Sequence, residues 1–107
     1  MKLFTKAILK NLPPIGATAE LESEDNEVRC KLFNAMGVGT WYIVEYDPET
    51  GEAFGFVNLG NPDFAELGYF NVNEIKNTRG VMLERDKWFT KMNLAEVIKT
   101  VKDGGHI

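Results

Sequence analysis

A hairpin signal in the middle of the chain constrains the fold more than any other feature of the sequence. Residues 40–46 are rich in aromatic and β-branched side chains, and residues 53–59 form a second apolar run after the turn sequence Asp47-Pro48-Glu49-Thr50-Gly51. Pro48 has the backbone φ that a type I turn needs, and Gly51 can adopt the left-handed conformation that follows such a turn. The sequence therefore predicts two antiparallel strands joined by four or five residues.

Periodic segments on both sides of the hairpin predict further strands and short helices. Residues 28–32 alternate between apolar and basic side chains, as in a strand with one buried face. Residues 66–70 and 81–89 are also predicted to be extended. Three short helices are predicted to begin at polar N-cap residues, which are Thr5, Asn71 and Asn93. We therefore expect an α+β fold of one domain over residues 1–107, in which an antiparallel meander of four or five strands packs one face against two or three short helices.

The composition excludes several classes of protein. Cys30 is the only cysteine, so the chain can form neither an internal disulfide nor a zinc site built from several thiolates. The longest uncharged stretch, residues 32–44, is shorter than the ~20 apolar residues of a membrane-spanning helix. We expect a cytoplasmic protein that has no contact with a membrane, no metal and no cofactor.

Charge is distributed unevenly along the chain. Residues 32–75 contain seven acidic residues and no lysine or arginine, whereas residues 76–107 contain seven basic and four acidic residues. An acidic region repels the phosphates of nucleic acid and attracts a basic surface. The sequence therefore predicts a protein partner with a basic surface and no direct binding of nucleic acid. The residues predicted to contact this partner are Asp47, Glu49, Glu52, Asp63 and Glu66. The alternative is that these side chains only make the hairpin soluble.

The charged triplet Glu84-Arg85-Asp86 is a second candidate site. In a strand, Glu84 and Asp86 point to one side and Arg85 to the other. Together with Glu66, the two carboxylates could bind a divalent cation or divide the roles of general acid and base. The structural alternative is that Arg85 forms an ion pair with a carboxylate such as Glu66 and stabilises the sheet.

Other residues that could bind a ligand or take part in catalysis are predicted to have structural roles. Gly37-Val38-Gly39 lacks the lysine and the helix that a phosphate-binding loop requires, so it is predicted to form a turn. His106 lies in a glycine-containing terminal segment without an orienting carboxylate, and Cys30 falls on the predicted buried face. The six aromatic residues of the central region are predicted to form the core, because no basic residue accompanies them. They are Trp41, Tyr42, Phe54, Phe56, Tyr69 and Phe70.

Several sequence blocks together resemble the bacterial "domain of unknown function 2958" family. The most specific are Glu66-Leu67-Gly68-Tyr69-Phe70, Arg79-Gly80 and Glu84-Arg85-Asp86, and the resemblance covers nearly the whole chain. The chain departs from the family after Gly80, where a longer proline-containing segment is shortened to Val81-Met82-Leu83. The resemblance implies a small cytoplasmic protein of plasmids, phages and conjugative elements, and it implies neither an activity nor catalytic residues.

These observations lead to three functional hypotheses. The first is a non-catalytic protein-binding module of a mobile genetic element that uses the acidic residues. Its sharper form is a counter-defence protein that occupies the nucleic-acid channel of a host nuclease. The second is a small enzyme that uses Glu66, Glu84 and Asp86, and the third is a self-associating structural protein.

Overall fold

The computed structural model of this protein describes residues 3–107, which form seven strands and three α-helices. The strands are β1 (Glu27–Val28), β2 (Cys30–Asn34), β3 (Thr40–Tyr46), β4 (Glu52–Asn58), β5 (Glu66–Asn71), β6 (Leu83–Arg85) and β7 (Met92–Asn93). The helices are α1 (Lys6–Asn11), α2 (Val72–Lys76) and α3 (Leu94–Lys102). The predicted α+β class is confirmed.

The predicted hairpin is the centre of the main sheet. Five strands lie in the order β5-β4-β3-β2-β6 and are all antiparallel to their neighbours, while β1 and β7 form a separate ladder. At the hairpin turn, the Asp47 amide donates to the Glu52 carbonyl at 2.8 Å, and Gly51 has a φ of +83°. The meander therefore runs from β2 to β5, and β6 returns to the free side of β2. Within the predicted extended segment 81–89, β6 is the only strand.

All three predicted N-caps are confirmed. The side chains of Thr5, Asn71 and Asn93 each accept a hydrogen bond from the backbone N–H three residues later, at distances of 3.1 to 3.2 Å. Such caps satisfy amide groups that the first turn of a helix leaves without partners. These local interactions determine where each helix begins.

Both faces of the sheet are covered, which differs from the predicted packing on one face. Helix α1 packs against one face, whose buried cluster includes Cys30, Trp41 and Ile43. Helix α3 packs against the other face, whose cluster includes Tyr42 and Val44. We call these the α1 face and the α3 face. Because β3 is the central strand of a sheet that is covered on both sides, all residues from Trp41 to Tyr46 are buried.

No helix within residues 3–107 has the length and apolar character needed to cross a lipid bilayer.

Candidate functional site

The three carboxylates of the proposed enzyme site do not meet. Glu66 lies on β5 and Glu84 on β6, which are the two edges of the five-stranded sheet. Four strand spacings of about 4.8 Å separate these edges, so the two backbones are roughly 19 Å apart. The pairing register places Glu66 on the α1 face with Val57, whereas Glu84 lies opposite Phe33 on the α3 face. Within residues 3–107 no group of three or more acidic, histidine or cysteine side chains could hold a metal ion.

Within the charged triplet, Arg85 and Asp86 have structural partners. Arg85 and Glu84 point to opposite faces, as the strand pattern predicts. The Nε of Arg85 donates to the Leu3 carbonyl at 2.9 Å, and no carboxylate in residues 3–107 lies within 4.0 Å of its guanidinium. The predicted ion pair between Arg85 and a carboxylate such as Glu66 is therefore wrong. Sheet order is the reason, because it places Glu66 at the opposite edge.

The five predicted partner-binding acids divide into two groups. Asp47, Glu49 and Glu52 lie at the hairpin turn, whereas Asp63 and Glu66 lie at the other end of β4. Glu66 is opposite Val57, and five residues of extended strand, about 17 Å, separate Val57 from Glu52. The five residues therefore cannot form one continuous patch. None of them lies within 4.0 Å of a basic group in the described part of the chain.

Glu45 belongs to the same acidic run of the sequence but is buried. Its side chain is 2% exposed and accepts hydrogen bonds from the amides of Gly16 and Thr18 at 2.8 and 2.9 Å, and from the Thr18 hydroxyl. Burial raises the pKa of Glu45, but these hydrogen bonds outweigh burial and hold its pKa below the ordinary value. Glu45 is therefore an anchor for the segment after α1 and does not contribute to an acidic surface.

A cleft of about 530 Å³ opens on the α3 face beside residues 37–39, which were predicted to form a turn and lie in the bend that follows the turn between β2 and β3. Lys31, Asp86 and His106 line the cleft. The Nζ of Lys31 lies 3.4 Å from Asp86 Oδ2 and also donates to the main-chain oxygen of Ile107. The lysine and aspartate thus neutralise each other, and the lysine also holds the end of the segment after α3 against the sheet.

Cys30 is buried on the α1 face, as the alternating pattern predicts. Desolvation raises the pKa of its thiol to about 12, although the positive charge of Arg85 acts in the opposite direction. We expect no reaction of the native protein with a disulfide reagent such as 5,5′-dithiobis(2-nitrobenzoate) at neutral pH, and full reaction in denaturant. Stoichiometric labelling of the native protein, measured by absorbance, would contradict this assignment.

An apolar groove of about 450 Å³ lies on the α1 face between the β4–β5 loop and the edge strand. We call it the β5 groove. Trp41, Val57 and Glu66 stand side by side across three strands, because Trp41 pairs with Val57 and Val57 pairs with Glu66. Phe64 and Leu59 form the rim and are 79% and 66% exposed. The groove therefore combines an apolar floor, an exposed apolar rim and one carboxylate.

Gly68 contributes to the hollow of this groove. Gly68 pairs with Gly55 across β5 and β4, two residues along each strand from the pair of Glu66 and Val57 and on the same face of the sheet. A Cβ atom added at Gly68 would meet no atom within 4 Å. Because Gly68 has no side chain, the edge strand is indented between Glu66 and Phe70.

Sequence reasoning identified only part of the β5 groove. Glu66 was a candidate residue, and Trp41 was correctly assigned to the core. Phe64 was not identified, although a large apolar residue directly after Asn61-Pro62-Asp63 in a predicted loop was a usable signal. Tyr69 was predicted to be in the core but is 64% exposed, because it lies on an edge strand.

Comparison with known proteins agrees with the resemblance in the sequence. No curated protein and no solved structure matches this chain significantly. A family model described as "Protein of unknown function (DUF2958)" matches residues 3–107, which is essentially the whole chain. The chain therefore belongs to the DUF2958 family of proteins of unknown function.

Proposed function

We propose that this protein is a non-catalytic protein-binding module that holds a segment of a basic protein partner in the β5 groove. The observation that carries the proposal is the position of Glu66 beside Trp41 and Val57, in a groove with the exposed rim residues Phe64 and Leu59. An enzyme that uses Glu66, Glu84 and Asp86 is not proposed, because these side chains lie on different edges and faces of the sheet.

The apolar part of the groove supports binding of an apolar side chain. Large side chains that remain in water at a concave site are typical of interaction surfaces, and removing them from water favours association. Phe64 can contact a bound group, since most of its surface is exposed. The floor of Trp41, Val57 and Phe70 is held by strand pairing and provides a rigid base.

The carboxylate of Glu66 supports selection of a basic partner. It is exposed and has no basic group within 4.0 Å in the described chain. Asp63 is close in sequence, next to the rim residue Phe64, and adds a second negative charge to the loop. A lysine or arginine near an apolar anchor of the partner would therefore meet complementary charge.

That the hairpin acids contact a basic partner is a separate prediction. These acids are Asp47, Glu49 and Glu52. Asp47 already accepts hydrogen bonds from the Glu49 amide at 2.9 Å and from the Thr50 hydroxyl at 3.1 Å, which stabilise the turn. About 17 Å separates the hairpin acids from the β5 groove, so a segment that contacts both places must be extended over at least five residues. The biological setting of this proposal is a mobile genetic element. In the sharper form of the proposal, the partner is a host nuclease, and the protein occupies its nucleic-acid channel.

Selection from a linear random-peptide display library on the immobilised protein tests the proposal. We expect enriched peptides to share one large apolar residue with a lysine or arginine close to it. For a selected peptide, Glu66→Gln is expected to weaken binding up to about fivefold, since an exposed ion pair contributes about 0.2 to 1 kcal/mol. Phe64→Ala is expected to weaken binding at least as much.

Two further variants serve as controls in the binding measurement. Trp88→Ala removes another aromatic side chain that is 91% exposed and outside the groove, and it is expected to leave the affinity unchanged. The triple change of Asp47, Glu49 and Glu52 to lysine tests the hairpin. Peptides without a basic residue, or affinity lost only in the triple variant, would reject the β5 groove as the binding site.

A further inference from the structure

The outer edge of β5 carries main-chain groups without partners. The Val72 amide donates to the Gly51 carbonyl at 2.8 Å, and hydrogen-bonded pairs alternate along an antiparallel ladder. Glu66, Gly68 and Phe70 therefore direct their N–H and C=O groups toward β4. Leu67 and Tyr69 direct theirs outward, where no hydrogen bond from residues 3–107 reaches them.

This edge lacks the features that normally prevent pairing with another chain. Natural edge strands are protected by lysine, proline, bulges or covering segments. Strand β5 contains no lysine, arginine or proline, and Leu67 and Tyr69 are 40% and 64% exposed. The opposite edge strand, β6, has only three residues, and its Arg85 binds the main chain at Leu3.

We infer that β5 pairs in an antiparallel manner with β5 of a second copy of this chain, with Gly68 on the two-fold axis. In this register, Leu67 of each copy lies opposite Tyr69 of the other, and these two pairs form four main-chain hydrogen bonds. The two chains thereby join into one ten-stranded sheet. Leu67 and Tyr69 become cross-strand neighbours on the α3 face, where apolar and aromatic pairs stabilise a sheet.

The sequence of β5 is complementary to itself in this register. Glu66 lies opposite Phe70 of the second copy, so no like charges face each other. Gly68 meets Gly68 at a position where backbones approach to about 4.5 Å. The same pairing brings Phe70 of the second copy beside Glu66, and it therefore adds an aromatic side chain to the β5 groove. The inference does not depend on peptide binding, because it uses the main-chain edge and not the floor of the groove.

The registers centred on Leu67 or Tyr69 instead of Gly68 would pair β5 with residues that already have other structural roles. Main-chain hydrogen bonds between the two copies form only in registers that place residues with outward-pointing N–H and C=O groups opposite each other. Centring the pair on Leu67 would place Tyr69 opposite Ala65, whose amide donates to the Pro62 carbonyl at 3.2 Å. Centring it on Tyr69 would place Leu67 opposite Asn71, the N-cap of α2, and would bring this helix against the second copy.

Cysteine cross-linking tests both the dimer and its register. In the Gly68→Cys variant the two thiols lie on the axis, and a Cα separation of about 4.5 Å permits a disulfide. We expect mild oxidation to convert this variant to a covalent dimer, measured by non-reducing electrophoresis. Leu67→Cys and Tyr69→Cys are expected to cross-link at least tenfold more slowly. Wild-type protein should stay uncross-linked, since Cys30 is buried.

Sedimentation equilibrium provides the second measurement. We expect the wild-type protein to have twice the 12.1 kDa mass of one chain, and the double variant Leu67→Lys, Tyr69→Lys to have the mass of a monomer. Trp88→Lys is the matched control and should stay dimeric. A monomeric wild-type protein, or preferential cross-linking at residue 67 or 69, would overturn the inference. A monomer that still binds selected peptides would leave the proposed function intact.

Discussion

Replacing Gly55 with alanine is expected to lower the free energy of unfolding by about 3 kcal/mol, as severe overpacking does. Gly55 pairs with Ile43, next to an irregularity in the register between β3 and β4. A Cβ atom at this position would overlap the Tyr42 carbonyl oxygen and lie 2.9 Å from its carbon and 3.2 Å from the Ile43 Cα. Backbone atoms of a central strand cannot move aside without breaking its hydrogen bonds. Urea denaturation followed by circular dichroism measures the change.

Gly68→Ala is the matched control for this prediction. Gly68 faces Gly55 across the strand pair, and an added Cβ there would meet no atom within 4 Å. We expect the control to be neutral or to stabilise the protein by up to about 1 kcal/mol, because alanine reduces the conformational freedom of the unfolded chain. Equal destabilisation by both substitutions would contradict the close contact described for Gly55.

Replacing Glu45 with alanine is expected to lower the free energy of unfolding by about 3 kcal/mol. The change removes the carboxylate that accepts hydrogen bonds from the amides of Gly16 and Thr18 and from the Thr18 hydroxyl, and a hydrogen bond to a charged group contributes about 1.5 to 3 kcal/mol. Glu49→Ala is the control, because Glu49 is exposed at the hairpin turn. Denaturant unfolding at neutral pH compares the two variants. A Glu45→Ala variant as stable as Glu49→Ala would reject the anchoring role.

The contribution of Glu45 to stability should also depend on pH. Because the folded state holds the pKa of Glu45 below its ordinary value of 4.5, the unfolded chain binds a proton at a higher pH than the folded chain. The contribution is therefore fully present above pH 4.5 and is lost as the pH falls through the folded pKa. Glu45→Gln does not titrate, so its disadvantage relative to wild type should shrink in this acidic range. A difference that stays constant with pH would contradict the lowered pKa.

The sequence predicted the features that depend on neighbouring residues. Pro48 and Gly51 determine the turn, and Asn71 and Asn93 determine the starts of two helices, through interactions that span three or four residues. Charge counts, in contrast, could not distinguish Glu45 from Glu49. The first is buried and the second exposed, because β3 becomes the central strand of a sheet covered on both faces.

The sequence by itself thus determined the α+β class, the hairpin and the helix caps of this protein. Only the tertiary structure decided that Glu66 lies far from Glu84 and that Trp41, Val57 and Glu66 form one row. The physical reason is that sheet order and register bring together residues distant in sequence, and these depend on the packing of all strands and helices at once. Gly55 and Gly68 illustrate this, since the two glycines pair with each other, but only at Gly55 does the backbone of β3 occupy the place of a Cβ atom.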